Sequence, residues 1–259
     1  MMRLALLCFA ALVGGALNAM AGGGSFISFP SLLGAGVPPI EANATNTVAL
    51  WPGQFTSIFG YWKDLRRHFH LLWTVVPSSL IGGVAGAFVL LATKQMTFYR
   101  MVPYLLLLAA ILFWLSEPIS KRLLRNRPGG ADATDEQKIA RLPVFILLVI
   151  VCFYIGYFGA GSGFLIMAAL AIFGIRDLNE INALKVVSTT IANGSAVIIF
   201  IARGRVLWHY GLPMIFFAAL GGYVGARLSR RLNRNVMRWF VIVLGFALAA
   251  YFFWKTWPR

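Results

Sequence analysis

The sequence predicts an all-α, polytopic membrane protein built from two homologous halves. Each half is expected to hold a glycine-broken, re-entrant helix hairpin and three transmembrane helices, about eight full spans in all. Three observations predict this. The chain has 259 residues, 59% hydrophobic and only 12% charged, with a mean hydropathy of +0.78. A soluble domain carries roughly 25% charged residues, so this chain has too few polar groups to cover a water-facing surface. The stretch "LLWTVVPSSLIGGVAGAFVLLAT" (71–93) holds no charge and is long enough as a helix to cross a hydrocarbon core of about 30 Å. Finally, the chain resembles itself at a spacing of 138 to 139 residues. A barrel would show roughly ten-residue alternating strands; the apolar runs here are continuous.

The first run, "LALLCFAALV" (4–13), follows Arg3, and Ala19-Met20-Ala21 comes shortly after it. Alone it reads as a signal peptide with a small-x-small cleavage site. The repeat argues against that. "AGGGSFISFPSLLGAGVPPIEANATNTV" (21–48) recurs as "GAGSGFLIMAALAIFGIRDLNEINALKVV" (159–187). Phe26 meets Phe164, Gly36 meets Gly174, Asn43-Ala44 meets Asn182-Ala183, His70 meets His209, and "GGVAGA" (82–87) meets "GGYVGA" (221–226). The glycines at 22–24 therefore have a counterpart at Gly159–Gly163, deep in the chain, where a cleavage site makes no sense. The first helix is expected to be retained, with the signal peptide as the alternative.

Each first helix is followed by a glycine-rich break and a short apolar segment, 26–36 and 164–174. At 1.5 Å per residue these are too short to span. Each ends in turn chemistry, Gly36 before Pro38-Pro39 and Gly174 before Arg176-Asp177. They read as re-entrant hairpins with backbone at membrane depth, which is tolerated only inside protein or beside a polar cavity. A plain tight turn near one face is the alternative. Further apolar runs lie near 44–62, 101–116, 142–159, 186–202, 210–226 and 239–254. The twin GG-x-x-GA segments offer small faces for close helix packing. A basic, Pro-Gly-Gly-containing linker separates the halves. The expected units are 1–119, a cytoplasmic linker 120–141, and 142–259.

The net charge of +15 sits in short loops, as membrane orientation requires. No interleaved basic and aromatic groove points to nucleic acid. Inverted halves put fourteen basic loop residues on the linker's side against six, and parallel halves thirteen against seven. The inverted arrangement is preferred because a hairpin plus three helices is an odd passage of the chain, and inverted repeats recur in transporters.

These features resemble the sulfite exporter TauE/SafE family, also called the YfcA-like membrane permeases. The resemblance covers nearly the whole chain. It rests on the paired glycine breaks, on "EANATNTV" and "EINALKVVSTT", and on the twin GG-x-x-GA helices. It implies a multi-pass carrier in the bacterial inner membrane for small anions, chiefly sulfite, sulfonates and related sulfur compounds.

Polar residues inside a membrane bundle are costly and default to function. The first half offers Asn43, Thr45, Asn46, Thr47, Gln54 and Thr56, the second Asn182, Lys185, Ser188, Thr189, Thr190, Asn193 and Ser195. An oxyanion needs donors, which amides, hydroxyls and free backbone N–H groups supply. The expected anion site joins Gly22, Gly23, Gly24, Ser25, Asn43, Asn46 and Thr47 to Gly161, Ser162, Gly163, Asn182, Lys185 and Thr189. Lys185 supplies the positive charge. The alternative is that the amides and hydroxyls stitch helices together and Lys185 snorkels. His70 and His209, at helix starts beside Trp73 and Trp208, read chiefly as interface anchors; a proton-relay role, and with it proton coupling, stays open. Glu41 and Glu117 read as solvated.

Cys8 and Cys152 lie in apolar runs without metal-ligand spacing. No phosphate-binding loop is present, so no cofactor is expected. With 8 acidic residues in all, mostly in loops, an enzyme is poorly equipped. The rival to a carrier is a non-catalytic membrane subunit working with a separate transport or sensing partner. The lipid bilayer is an expected partner, and a homo-oligomer is left open.

Overall fold

The structure is a computed structural model. It describes residues 2–21, 23–60, 62–67, 69–125, 141–172, 178–228 and 234–256. Gly22, the centre of the linker and the Gly174 turn lie outside them. Among the described residues there are eleven helices and no strand: α1 (Met2–Ala21), α2 (Ser25–Gly34), α3 (Pro39–Gly60), α4 (Trp62–Arg67), α5 (Phe69–Ala92), α6 (Gln95–Arg125), α7 (Arg141–Tyr157), α8 (Ser162–Ile172), α9 (Leu178–Ala202), α10 (Trp208–Leu228) and α11 (Arg234–Thr256). By length and composition five of them can cross a membrane: α1, α5, the first part of α6, α9 and the last part of α11. Large apolar side chains such as Trp73, Ile198, Phe216 and Val243 are exposed on the outside, as lipid contact requires.

The two short segments form helices as expected, starting one or two residues earlier, at Ser25 and Ser162. Neither is long enough to span: ten and eleven residues give about 15 Å each. α2 closes where Gly36 takes a φ of 86°. The Val37 N–H reaches back to the Leu32 carbonyl and the Gly36 N–H to Leu33, both at 3.1 Å, the double cap a left-handed glycine allows. Pro39 then opens α3, where a missing N–H costs nothing.

The same cap ends α9. Gly204 has a φ of 64°, and Arg205 N bonds the Phe200 carbonyl at 3.0 Å. This turn delivers Arg205 to Glu41, with Nη1 2.8 Å from Oε1. Gln95 Nε2 donates to the other Glu41 oxygen, and Gln95 Oε1 accepts from the Ile40 N–H at 3.0 Å. Glu41 is therefore not the solvated residue the sequence suggested. Its side chain is only 14% exposed, whereas Arg205 is 47% exposed, because the α9 cap folds over the start of α3. Glu117 has no described side chain. Arg3 Nη1 donates to the Ala35 carbonyl at 3.4 Å. The starts of α1, α3 and α6 and the end of α9 thus share one end of the bundle. Because Arg205 stays half in solvent, Glu41→Gln is expected to lower stability by less than about 1 kcal/mol. A melting curve of the purified protein checks this.

Packing runs between the chain's two parts. α1 lies along α10, and α7 lies along α5. α3 and α9 cross at the centre and also meet α10 and α5 respectively. Glycines permit the close approach. A Cβ on Gly221 would lie 1.9 Å from the Leu12 carbonyl oxygen, and one on Gly86 2.1 Å from the Phe153 oxygen. Each GG-x-x-GA segment packs against the first helix of the other part.

Candidate functional site

The polar residues singled out from sequence lie almost wholly inside. Asn43, Thr45, Asn46, Thr47, Ser162, Ser188, Thr189, Thr190, Asn193 and Ser195 are buried, and Lys185 and Asn182 are half-buried. Some of them collect at the two helix breaks, whereas Thr45 Oγ1 accepts from the Leu207 N–H at 3.0 Å and Ser188 Oγ meets Ser79 Oγ at 2.6 Å.

At the first break α1 ends and α2 begins at Ser25. The glycine here serves close approach. A Cβ on Gly24 would lie 2.2 Å from the Gly14 carbonyl oxygen, and one on Gly23 2.6 Å from Val241 Cγ1. Asn46, from α3, reaches this break. Its Nδ2 donates to Ser25 Oγ at 3.2 Å, and its Oδ1 accepts from the Ser28 hydroxyl. The bond from Asn46 makes Ser25 Oγ an acceptor and leaves its hydroxyl hydrogen to donate elsewhere, while the Phe26, Ile27 and Ser28 N–H groups are taken by the Gly23 and Gly24 carbonyls. Ser28 was missed by sequence reasoning, although it sits one turn from Ser25 on the same face.

At the second break the glycines serve backbone shape. Gly159 and Gly161 have φ of 78° and 70°, a region open to glycine at no steric cost. They turn the chain from α7 into α8. Lys185, from α9, lies against the start of α8: a Cβ on Gly163 would sit 3.4 Å from Lys185 Cδ. Its Nζ donates to Asn182 Oδ1 at 2.9 Å. A cation and a helix N-terminus thus meet here, and both favour an anion.

Asn43 is placed unexpectedly. It crosses to the second break, where Nδ2 donates to the Tyr157 carbonyl at 3.1 Å, and its Oδ1 is buried without a partner. Thr47 and Thr189 donate back to their own helix, to the Asn43 and Lys185 carbonyls at 2.9 Å each. At the centre Asn193 Nδ2 donates to Gln54 Oε1 at 2.9 Å, and Trp51 Nε1 to the Thr190 carbonyl at 3.0 Å. Both links join residues 139 apart, the spacing of the sequence repeat. His70 and His209 are exposed near the starts of α5 and α10, and the His209 ring lies against Tyr210, tilted by 49° with centroids 3.9 Å apart. Among the described residues no group of three or more His, Cys, Asp or Glu could hold a metal ion.

A family model described as "Sulfite exporter TauE/SafE" matches residues 7–252. The chain belongs to the sulfite exporter TauE/SafE family. Its curated relatives include a probable membrane transporter protein of Haemophilus influenzae, 26% identical over 95% of this chain and 93% of the relative. Another is the probable membrane transporter protein ORF9 of a Sinorhizobium species, 28% identical over 95% and 90%. A third is the probable membrane transporter protein YfcA of Escherichia coli K12, 25% identical over 95% and 88%. No solved structure matches this TauE/SafE member. It is a multi-pass protein of the bacterial inner membrane, from a family of membrane transporters.

Proposed function

We propose that this TauE/SafE protein is a secondary carrier of small anions, with sulfite and organosulfonates as its substrate class. The observation that carries the reading is Lys185 lodged against Gly163 in the first turn of α8, the turn that Gly161 and Ser162 lead into. A buried oxyanion needs positive charge and donors without a bulky shell, and this corner offers both. Gly23, Gly24, Ser25 and Asn46 form the matching donor set at the first break, next in sequence to Gly22. Asn182 orients Lys185. Asn43, Thr47 and Thr189 back these groups rather than face the anion with donors. The carrier uses binding and movement, not bond-breaking chemistry.

The carrier is read as two inverted repeats, 1–119 and 142–259, joined by the cytoplasmic linker 120–141. The packing supports a two-fold relation, since exchanging the halves turns the α1–α10 contact into the α7–α5 contact and α3–α10 into α9–α5, and the end of α9 meeting the start of α3 supports the inversion. The central links between residues 139 apart support it too, since a residue meets its own equivalent on a two-fold axis. On this reading α1–α2 is a hairpin whose two ends meet at Arg3 and Ala35, α7–α8 is its equivalent, and the three long helices after each hairpin carry the chain across an odd number of times, which inverts the second half.

Flux in proteoliposomes tests the proposal. Saturable movement of sulfite or a sulfonate, and none of chloride, is expected. Well-inserted protein that moves no anion would favour a membrane subunit that needs a partner.

A further inference from the structure

The second break carries an unused set of oxygens that the anion reading does not explain. Asn43 and Asn193 are 1% and 3% exposed, and the Oδ1 of each has no hydrogen-bond partner. Both amide nitrogens are engaged, Asn43 with the Tyr157 carbonyl and Asn193 with Gln54. What each side chain offers is therefore an acceptor. A buried unsatisfied acceptor costs about 1–3 kcal/mol, so two at one break call for an explanation.

The backbone adds a third oxygen. The Gly159 N–H skips Ile155 and closes on the Tyr154 carbonyl at 3.3 Å, which leaves the Ile155 carbonyl without its usual helical donor. A Cβ on Gly159 would lie 3.3 Å from Ile155 O and 3.4 Å from Asn193 Oδ1. The side of Gly159 that bears no side chain is thus flanked by two oxygens. Asn43 Oδ1 is tied to the same break through its amide's bond to Tyr157. This is also the C-terminal end of α7, the negative end of its dipole.

We propose that the α7–α8 break binds a monovalent alkali cation, with Asn193 Oδ1, the Ile155 carbonyl and Asn43 Oδ1 as ligands. Freed carbonyls and side-chain oxygens can replace an alkali ion's hydration shell. A divalent ion would call for carboxylates, and none of these three ligands is one. An anion would be repelled by the same oxygens. The break then presents two ends of opposite sign, the α7 end for a cation and the α8 end, with Lys185, for the anion. That coupling role rests on the carrier reading; the binding site itself does not.

Binding of 22Na+ to the purified full-length protein, in choline chloride and without any anion substrate, separates the two. Saturable binding is expected, displaced by unlabelled Na+. Asn193→Ala should weaken it by at least about tenfold, and Asn193→Asp, which adds a negative charge, should tighten it. Absence of saturable binding in the wild type overturns the proposal, as does unchanged affinity in both variants. If Asn193→Ala fails to purify, unchanged affinity in Asn193→Asp overturns it alone. None of these outcomes depends on whether sulfite moves.

Discussion

A Lys185→Met chain is expected to insert and fold, and to lose most of its sulfite or sulfonate flux. Methionine keeps the apolar stem that lies beside Gly163 and removes the ammonium that bonds Asn182 Oδ1 at 2.9 Å. A hydrogen bond to a charged group contributes about 1.5–3 kcal/mol, so apparent anion affinity should fall roughly 10- to 100-fold. Lys185→Arg keeps the charge but carries a rigid planar fork in place of a point charge. It should retain part of the flux. The measurement is initial rate against anion concentration in proteoliposomes, with insertion checked by the yield of monodisperse protein. Wild-type kinetics in Lys185→Met would remove Lys185 from the site and leave the α8 N-terminus without its charge.

Gly221→Val should strongly destabilise the fold, whereas Gly222→Ala, one residue on, should be neutral. A Cβ at 221 would lie 1.9 Å from Leu12 O and 2.7 Å from Leu12 C, both backbone atoms of α1. Backbone inside a helix cannot step aside, so α10 must leave α1. The loss should reach or exceed the upper end of the roughly 1–3 kcal/mol typical of overpacking, a large share of a stability of about 5–15 kcal/mol. At Gly222 the nearest atom to a Cβ is Gly15 O at 3.8 Å, ordinary contact, and the change should stay within about 0.5 kcal/mol. Gly86→Val should match Gly221→Val, because its Cβ would meet Phe153 O at 2.1 Å across the α5–α7 contact. Melting temperature and monodisperse yield in detergent read all three. Normal folding of Gly221→Val would mean that α1 and α10 do not pack as described.

The residues proposed for the site stand out in the sequence, each for its own reason. Lys185 and Asn182 were found because charge and amide groups stand out on an apolar helix at a spacing of one turn. The glycines were found because the same cluster occurs twice. Their separate purposes were not legible: Gly24 admits the Gly14 backbone, while Gly159 and Gly161 supply left-handed turns. Ser28 was overlooked because its partner, Asn46, lies 18 residues away. Tyr157 acts through its backbone carbonyl, which no side-chain pattern advertises.

The sequence by itself determined the membrane class, the helical build, the family and the positions of the two breaks. Composition, run length and repeat spacing are properties of the chain alone, and lipid leaves a backbone few ways to satisfy its own hydrogen bonds. Only the tertiary structure decided the partners. It sent Asn46 to the first break and Asn43 to the second, folded Arg205 onto Glu41, and turned two amide oxygens inward without donors. An amide carries a donor and an acceptor on one side chain, and which of them faces a site depends on groups more than a hundred residues away.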